Sequence, residues 1–349
     1  MDSALRIVDA NLNRTSEGLR LLEDIARFVL NDAAISEQLK TMRHELVRAD
    51  LAFNQQLLQS RDSVGDVGVR AEVAGEEKRK ELPLIVVANS RRVQESLRTL
   101  EEVAKLPELA PQLDSGKFKQ ARFDLYTLEQ KILGKLLRLD KTKYIYGLYV
   151  IIDTQCLRGR SHIDAAGQVI SAGVKVMQLR DKTTTKKLLL PIARELRDLC
   201  SRNDVLFIVN DYLDIALASE ADGLHVGQDD LPVESARKFL PIDKILGCSV
   251  TTVEQAIAAQ SAGADYIAVG SVFPTATKEA VQVVGLECLR QVRQSVNTPL
   301  VAIGGINKNN ARETIAAGAD AVSVISAILQ AQDIAQAARE IMSKIEVCK

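Results

Sequence analysis

Four short polar strings end apolar runs at even intervals in the second half of this 349-residue chain. They are Gln178, Leu179, Arg180, Asp181 and Lys182; Asn210 and Asp211; Gly227, Gln228, Asp229 and Asp230; and Pro274, Thr275, Ala276, Thr277 and Lys278. Carboxylates, lysines, an arginine and hydroxyls gathered in one place suit a multiply phosphorylated substrate held on magnesium. Magnesium keeps several waters and takes its other oxygens from one or two carboxylates and from phosphate. Asp211 and Asp230 are the candidate pair, with Asp229 a rival for the second place. Gln178, Arg180 and Lys182 alternate, so strand geometry aims all three the same way. Lys278, with Thr275 and Thr277 beside it, offers a point charge and hydroxyls to phosphate. Plainer readings stand beside these: a solvated rim for the first string, and a helix N-cap for Asn210 and Asp211.

The elements that must position these residues count out regularly. Apolar, strand-like runs begin near Gly147, Val174, Val205, Gly223, Ile245, Tyr266, Pro299 and Ala321, eight in all. Helix-like stretches separate them, as at residues 186–202, 253–262 and 309–317. Ala-Gly-Ala-Asp recurs at residues 262–265 and 317–320, where glycine suits the left-handed residue closing a helix. The pattern predicts an α/β fold, a (β/α)₈ TIM barrel over residues 141–349, with its site in the loops at the strands' C-terminal ends. A doubly wound open sheet is the rival, but gives no reason for eight units. Ser249 would close strand five. Gly304 and Gly305 after strand seven, and Ile325 and Ser326 after strand eight, fall where barrels commonly bind phosphate.

Residues 1–140 read as an all-α domain, since leucines and charges recur there at helical spacing. The domain carries an internal repeat. Residues 10–28 align with residues 88–106, 78 positions later, matching Ala, Asn, Arg, Glu, Leu, Arg, Leu, Glu and Ala in register. A duplicated helical pair explains this. Asn11, Arg14, Glu17 and Arg20 are then expected to face Asn89, Arg92, Glu95 and Arg98 near the glycine-rich residues 61–69. The bland alternative is a set of exposed ion pairs. Residues 136–146 are expected to form a linker.

Composition narrows the function. Lys plus Arg number 45 against 46 Asp plus Glu, so no global field recruits nucleic acid or an acidic membrane. Cys156, Cys200, Cys248, Cys288 and Cys348 are scattered, which fits reduced thiols in a cytoplasmic protein. No apolar stretch reaches membrane-spanning length. His225, inside strand four, reads as structural. With no Ser-His-Asp or Cys-His signal and no mid-strand lysine, the chemistry should need no dedicated side-chain base.

Residues 147–340 resemble the thiamine-phosphate synthase family, through QLRDK, ND, GQDD, CS, PTATK, IGGI and ISAI in order. The resemblance implies that an aminomethylpyrimidine methyl diphosphate condenses with hydroxyethylthiazole phosphate, releasing pyrophosphate and thiamine phosphate. Gln178, Leu179, Arg180, Asp181, Lys182 and Asn210 would bind the pyrimidine diphosphate, and Asp211 and Asp230 would hold Mg²⁺. Ser249 and Lys278 would touch the diphosphate. Thr275, Ala276 and Thr277 would meet the thiazole phosphate, with Gly305, Ile325 and Ser326 completing that site. Arg180, Lys182, Ser249 and Lys278 would be the catalytic group. The nearest alternative is a thiazole tautomerase-like barrel. The first 140 residues are similar to the helical extension of some such synthases, which implies a kinase for hydroxymethylpyrimidine phosphate; the alternative is a dimerisation scaffold. Partners are therefore two small phosphorylated substrates, neither nucleic acid nor membrane, and a homo-oligomer is left open.

Overall fold

The computed structural model describes residues 2–47, 51–61, 81–275 and 282–346. The chain divides into two compact units, Met1–Leu137 and Arg138–Lys349.

In the first unit, α1 (Asp2–Phe28), α2 (Ala33–Val47), α3 (Leu51–Ser60), α4 (Leu82–Val103) and α5 (Ser115–Thr142) are the described helices. On α1, Leu5, Val8, Leu12, Leu19, Leu22 and Ala26 are buried, three, four or seven residues apart. That spacing puts them on one face, which packs into the unit's own core with Val86, Val93, Leu97 and Leu100 of α4. The two copies of the repeat, α1 and α4, meet at Gly18. A methyl group there would collide with the Val93 side chain, so α1 needs glycine at this crossing.

The second unit is a closed eight-stranded parallel barrel. Its strands are β1 (Gly147–Asp153), β2 (Val176–Arg180), β3 (Leu206–Asn210), β4 (Gly223–Val226), β5 (Ile245–Val250), β6 (Tyr266–Val269), β7 (Leu300–Ile303) and β8 (Ala321–Val324). Between and after them lie α6 (Thr154–Leu157), α7 (His162–Ser171), α8 (Lys186–Arg202), α9 (Leu213–Ala218), α10 (Val233–Phe239), α11 (Val253–Ser261), α12 (Gly285–Ser295), α13 (Ala311–Ala316), α14 (Ser326–Leu329) and α15 (Ile334–Glu346). Closure is made by β1 on β8, with Gly147 opposite Ala321 and Val150 opposite Val324. Alternation sorts the strand residues into two layers. Leu148, Val150, Met177, Leu179, Phe207 and Val209 face the helices. Tyr149, Ile151, Val176, Leu206, Ile208 and Tyr266 fill the barrel. The Tyr266 ring occupies the space that a side chain at Gly247 would need.

The division between the two units falls within residues 136–146, and the first part of that stretch is helical. Helix α5 runs on to Thr142, and Arg138, 8% exposed, forms a buried ion pair with Asp265 at 2.8 Å. Asp265 also accepts from Arg237 at 2.9 Å and from the Leu246 amide at 2.8 Å. No proline or glycine interrupts the chain between Lys135 and Tyr146, so nothing stops the helix earlier. Among the described residues, no helix is long and apolar enough to cross a membrane.

Candidate active site

The C-terminal ends of β1 to β5 deliver a connected set of polar groups. At the end of β1, Asp153 is 1% exposed. One of its oxygens accepts from the amides of Gln155 (3.0 Å) and Cys156 (3.1 Å), capping α6. The other pairs with the guanidinium of Arg180, at the end of β2. Arg180 is thereby held by a neighbouring strand, in register with it.

Of the string after β2, Gln178, Arg180 and Lys182 go to the barrel side, as their alternation predicts. Leu179 and Asp181 do not. Leu179 packs outward among the helices. Asp181, 3% exposed, spends its oxygens on the Thr154 hydroxyl (2.6 Å) and the amides of Thr183 (2.8 Å) and Thr184 (2.7 Å). Burial works to raise its pKa, but these donors outweigh it and hold the carboxyl well below the usual range. The side chains of Leu179 and Asp181 thus pack against the barrel's own helix layer and the loop's own amides.

Asp211 follows β3 with a left-handed backbone (φ 62°), its amide bonded to the His225 carbonyl at 2.8 Å. Aspartate tolerates this region better than most residues, and the turn aims its carboxyl at Asp230 and at the Lys182 ammonium. Asp230 accepts from the Gly227 amide at 2.8 Å. It is this residue, rather than Asp229, that meets Asp211. Burial first, and then the neighbouring Asp230, raise the Asp211 pKa to about 6. Burial acts on Asp230 too, but the hydrogen bond to Asp211 and the Gly227 amide prevail and lower its pKa. Like charges at contact push the two titrations apart, because ionising both at once is disfavoured.

A line of buried hydrogen bonds crosses the barrel beneath this pair. Gln178 Nε2 donates to Tyr149 Oη at 2.8 Å, and Tyr149 Oη lies 2.9 Å from Tyr266 Oη. Tyr266 Oη is 2.9 Å from His225 Nδ1, whose Nε2 is 2.9 Å from Ser249 Oγ. Burial pushes the His225 pKa down to about 4, which keeps the ring neutral. His225 lies buried within β4, where the sequence places it, but Tyr149, Tyr266 and Asp153 were not foreseen. The signal for the tyrosines is their place in apolar strand runs where a polar tip must find a partner. For Asp153 it is a carboxylate ending the first strand run.

Asn210, half-buried, ends β3 beside Asp211. On the other side of the rim, the chain after β6 is pinned to the one after β7: Val272 N donates to Ile303 O (2.9 Å) and Phe273 N to Gly304 O (3.0 Å). Gly305 (φ 66°) packs so tightly on Phe273 and Pro274 that a side chain would collide with both. Thr275, Ile325 and Ser326 are half-buried, with Ser326 opening α14. Ala276, Thr277 and Lys278 lie outside the described residues.

The helical unit presents a second concentration of charge, and it comes in duplicate. Glu23 on α1 pairs with Arg43 at 2.9 Å and faces Arg20 at 3.6 Å. Glu101 on α4 pairs with Arg122 and with Arg98, both at 2.8 Å. Asn11 and Asn89 each donate back to their own helix, to the carbonyls of Ile7 (2.8 Å) and Ile85 (2.9 Å). Of the eight residues expected to converge, Asn11, Asn89, Arg20 and Arg98 are therefore committed locally, Arg20 and Arg98 as the ion pairs of the plainer reading. Arg14, Glu17, Arg92 and Glu95 are exposed. Arg61 pairs with Asp9, and residues 62–69 lie outside those described.

Comparison with known proteins agrees with this division. Residues 148–328 match the family described as thiamine monophosphate synthase, and residues 6–131 match the ThiD2 family. A thiamine-phosphate synthase of Nostoc punctiforme is 37% identical over 346 residues, spanning 99% of this chain and 95% of that protein. Another, from Methanospirillum hungatei, is 50% identical over 195 residues, 56% of this chain and 95% of the relative. The solved thiamine phosphate pyrophosphorylase from Pyrococcus furiosus aligns with a TM-score of 0.55 and 39% identity, covering 59% of this chain and 98% of that one.

Proposed function

The chain belongs to the thiamine monophosphate synthase family, and from that premise we propose that its barrel joins an aminopyrimidine methyl diphosphate to hydroxyethylthiazole phosphate. It is a transferase of thiamine phosphate synthesis. The carbon–oxygen bond to the diphosphate breaks, the thiazole nitrogen takes the methylene, and pyrophosphate departs. The electron-rich aminopyrimidine supports positive charge on its methylene, and the attacking nitrogen has no proton to lose. What the chain must supply is therefore charge for the leaving group and orientation for two substrates.

The observation that carries this reading is the pair of touching carboxylates, Asp211 and Asp230, with Lys182 against them. Two carboxyl groups held in contact favour a cation between them, so the donor set fits Mg²⁺. Among the described residues no group of three or more His, Cys, Asp or Glu side chains is arranged to hold a metal, so the ion would draw its remaining ligands from water and phosphate. When bound, it supplies positive charge to the diphosphate oxygens. Lys182, displaced from Asp211, and Arg180, held by Asp153, add two further charges on the same side. Ser249 and Asn210 donate to the diphosphate and the pyrimidine, and Lys278 acts on the leaving group from the loop after β6. Gly305, Ile325, Ser326 and residues 275–277 receive the thiazole phosphate. A tautomerase would have no use for this diphosphate and cation set. The test is Asp211→Asn: condensation should fail at saturating substrates while the thermal midpoint holds, and wild-type turnover at limiting magnesium would refute the assignment.

For the helical unit, the ThiD2 match supports phosphorylation of hydroxymethylpyrimidine phosphate, a step that would make the barrel's own substrate. The four scattered cysteines among the described residues are free, in keeping with a cytoplasmic enzyme. Full-length protein given a nucleoside triphosphate, hydroxymethylpyrimidine phosphate and thiazole phosphate should yield thiamine phosphate. No turnover from this mixture, by protein active on the ready diphosphate, favours a scaffold instead.

A further inference from the structure

With the Gln178 amide donating to Tyr149, the buried line from Gln178 to Ser249 takes one direction, which follows from counting protons. Gln178 Nε2 donates to Tyr149 Oη. The next contact joins two hydroxyl oxygens at 2.9 Å, and one proton must lie between them. The Tyr149 proton is free to do so, which leaves the Tyr266 proton for His225 Nδ1 at 2.9 Å. Both imidazole nitrogens rest on hydroxyls. A neutral ring that accepts at Nδ1 carries its own proton on Nε2 and gives it to Ser249 Oγ. The Ser249 proton is then the one left over. Reversing the Gln178 amide would reverse every bond and turn Ser249 inward.

We propose that Tyr149, Tyr266 and His225 are positioning residues whose aligned hydrogen bonds hold the Ser249 hydroxyl as a donor toward the diphosphate. The inference rests on the reading of Ser249 given above. Diphosphate oxygens accept only, so a serine facing them must donate. A lone hydroxyl would have to rotate into that state as the leaving group gains charge. One already committed inward as an acceptor has no such reorganisation to make, which is where electrostatic preorganisation acts. The line is shielded from water: Tyr266 is fully buried, and Tyr149, Gln178 and His225 are 2%, 2% and 6% exposed. Gly247, by leaving room for the Tyr266 ring, is what lets the line cross the barrel.

Nitrogen-15 NMR of the full-length, ligand-free protein reads the direction without reference to the reaction. The resonances of His225, identified by their loss in His225→Asn, should show the Nε2–H tautomer; the Nδ1–H tautomer overturns the proposal. Kinetics supply the functional half. Tyr266→Phe should lower kcat roughly five- to twentyfold, with KM for the pyrimidine diphosphate changed less than about twofold. In a Ser249→Ala background the same substitution should change kcat by less than about twofold, because the hydroxyl it aligns is gone. Equal losses in both backgrounds would mean a general packing defect and sink the idea. Tyr149→Phe, one bond further out, should repeat the pattern more weakly. Should Ser249→Ala alone turn over like wild type, the reading of Ser249 itself fails, a result separate from a wrong tautomer.

Discussion

The barrel and the helical unit both bury charge, and they do opposite things with it. In the helical unit two buried carboxylates each face two arginines, Glu23 with Arg20 and Arg43, Glu101 with Arg98 and Arg122. Those sets are satisfied within the fold. At the barrel's rim Asp211 and Asp230 press together, with Lys182 against Asp211. Among the described residues that set brings two carboxyl groups to one ammonium. Unbalanced charge, rather than abundant charge, distinguishes a site from a brace. It also shifts attention within the helical unit from Arg20 and Arg98 to Arg14 and Arg92, which are exposed and make no ion pair among the described residues.

The largest expected effect tests the imbalance directly. Asp211→Asn should cost on the order of a hundredfold or more in condensation turnover, with the fold retained. Next, Arg14→Ala with Arg92→Ala should lower any pyrimidine phosphorylation by roughly tenfold or more and leave condensation from ready diphosphate unchanged. If Arg20→Ala and Arg98→Ala are the variants that abolish phosphorylation, the distinction between brace and site fails.

The Asp211 pKa gives a graded version. Below about pH 6 the carboxyl is protonated, so apparent magnesium affinity should fall roughly tenfold per unit as pH drops further. In magnesium-free protein the sign for stability is the reverse. The folded state keeps a proton that the unfolded chain loses near its ordinary value of 3.8, so this group's stabilisation is full below pH 4 and is lost as pH rises through about 6. The change is at most about 3 kcal/mol, and Asp211→Asn should flatten it in a denaturation series. Smallest of all, Glu23→Gln and Glu101→Gln should each lower the unfolding midpoint of the helical unit by about 2–4 °C, without touching condensation.

Much of this was legible before any coordinates. The eight strands follow from apolar runs ending in polar strings, and strand starts differ from the expected positions by no more than two residues, as at Val174 against Val176. Asp211 and Asp230 could be paired on paper because each lies in the chain just after a strand and the two strands are adjacent. The loop after β2 was not so transparent: a string of five residues does not reveal which one folds back to bind its own amides, as Asp181 does. The tyrosine line escaped notice because it joins residues 117 apart in sequence and depends on a glycine, Gly247, whose meaning lies in what fills its place. The end of α5 escaped for a similar reason, since the partner of Arg138 lies 127 residues on.

That last pairing bears on how such a protein can be divided. By sequence the natural cut falls near Lys141, between texture and texture; by charge it falls before Arg138. A barrel beginning at Lys141 leaves Asp265 with Arg237 and the Leu246 amide but without its second guanidinium. The lost charge-assisted bond would cost about 1.5–3 kcal/mol. One beginning at Leu136 keeps the knot whole. The stretch in which the chain can be cut is thus a single helical turn wide, and the less costly side of it is the one that leaves the arginine with the barrel.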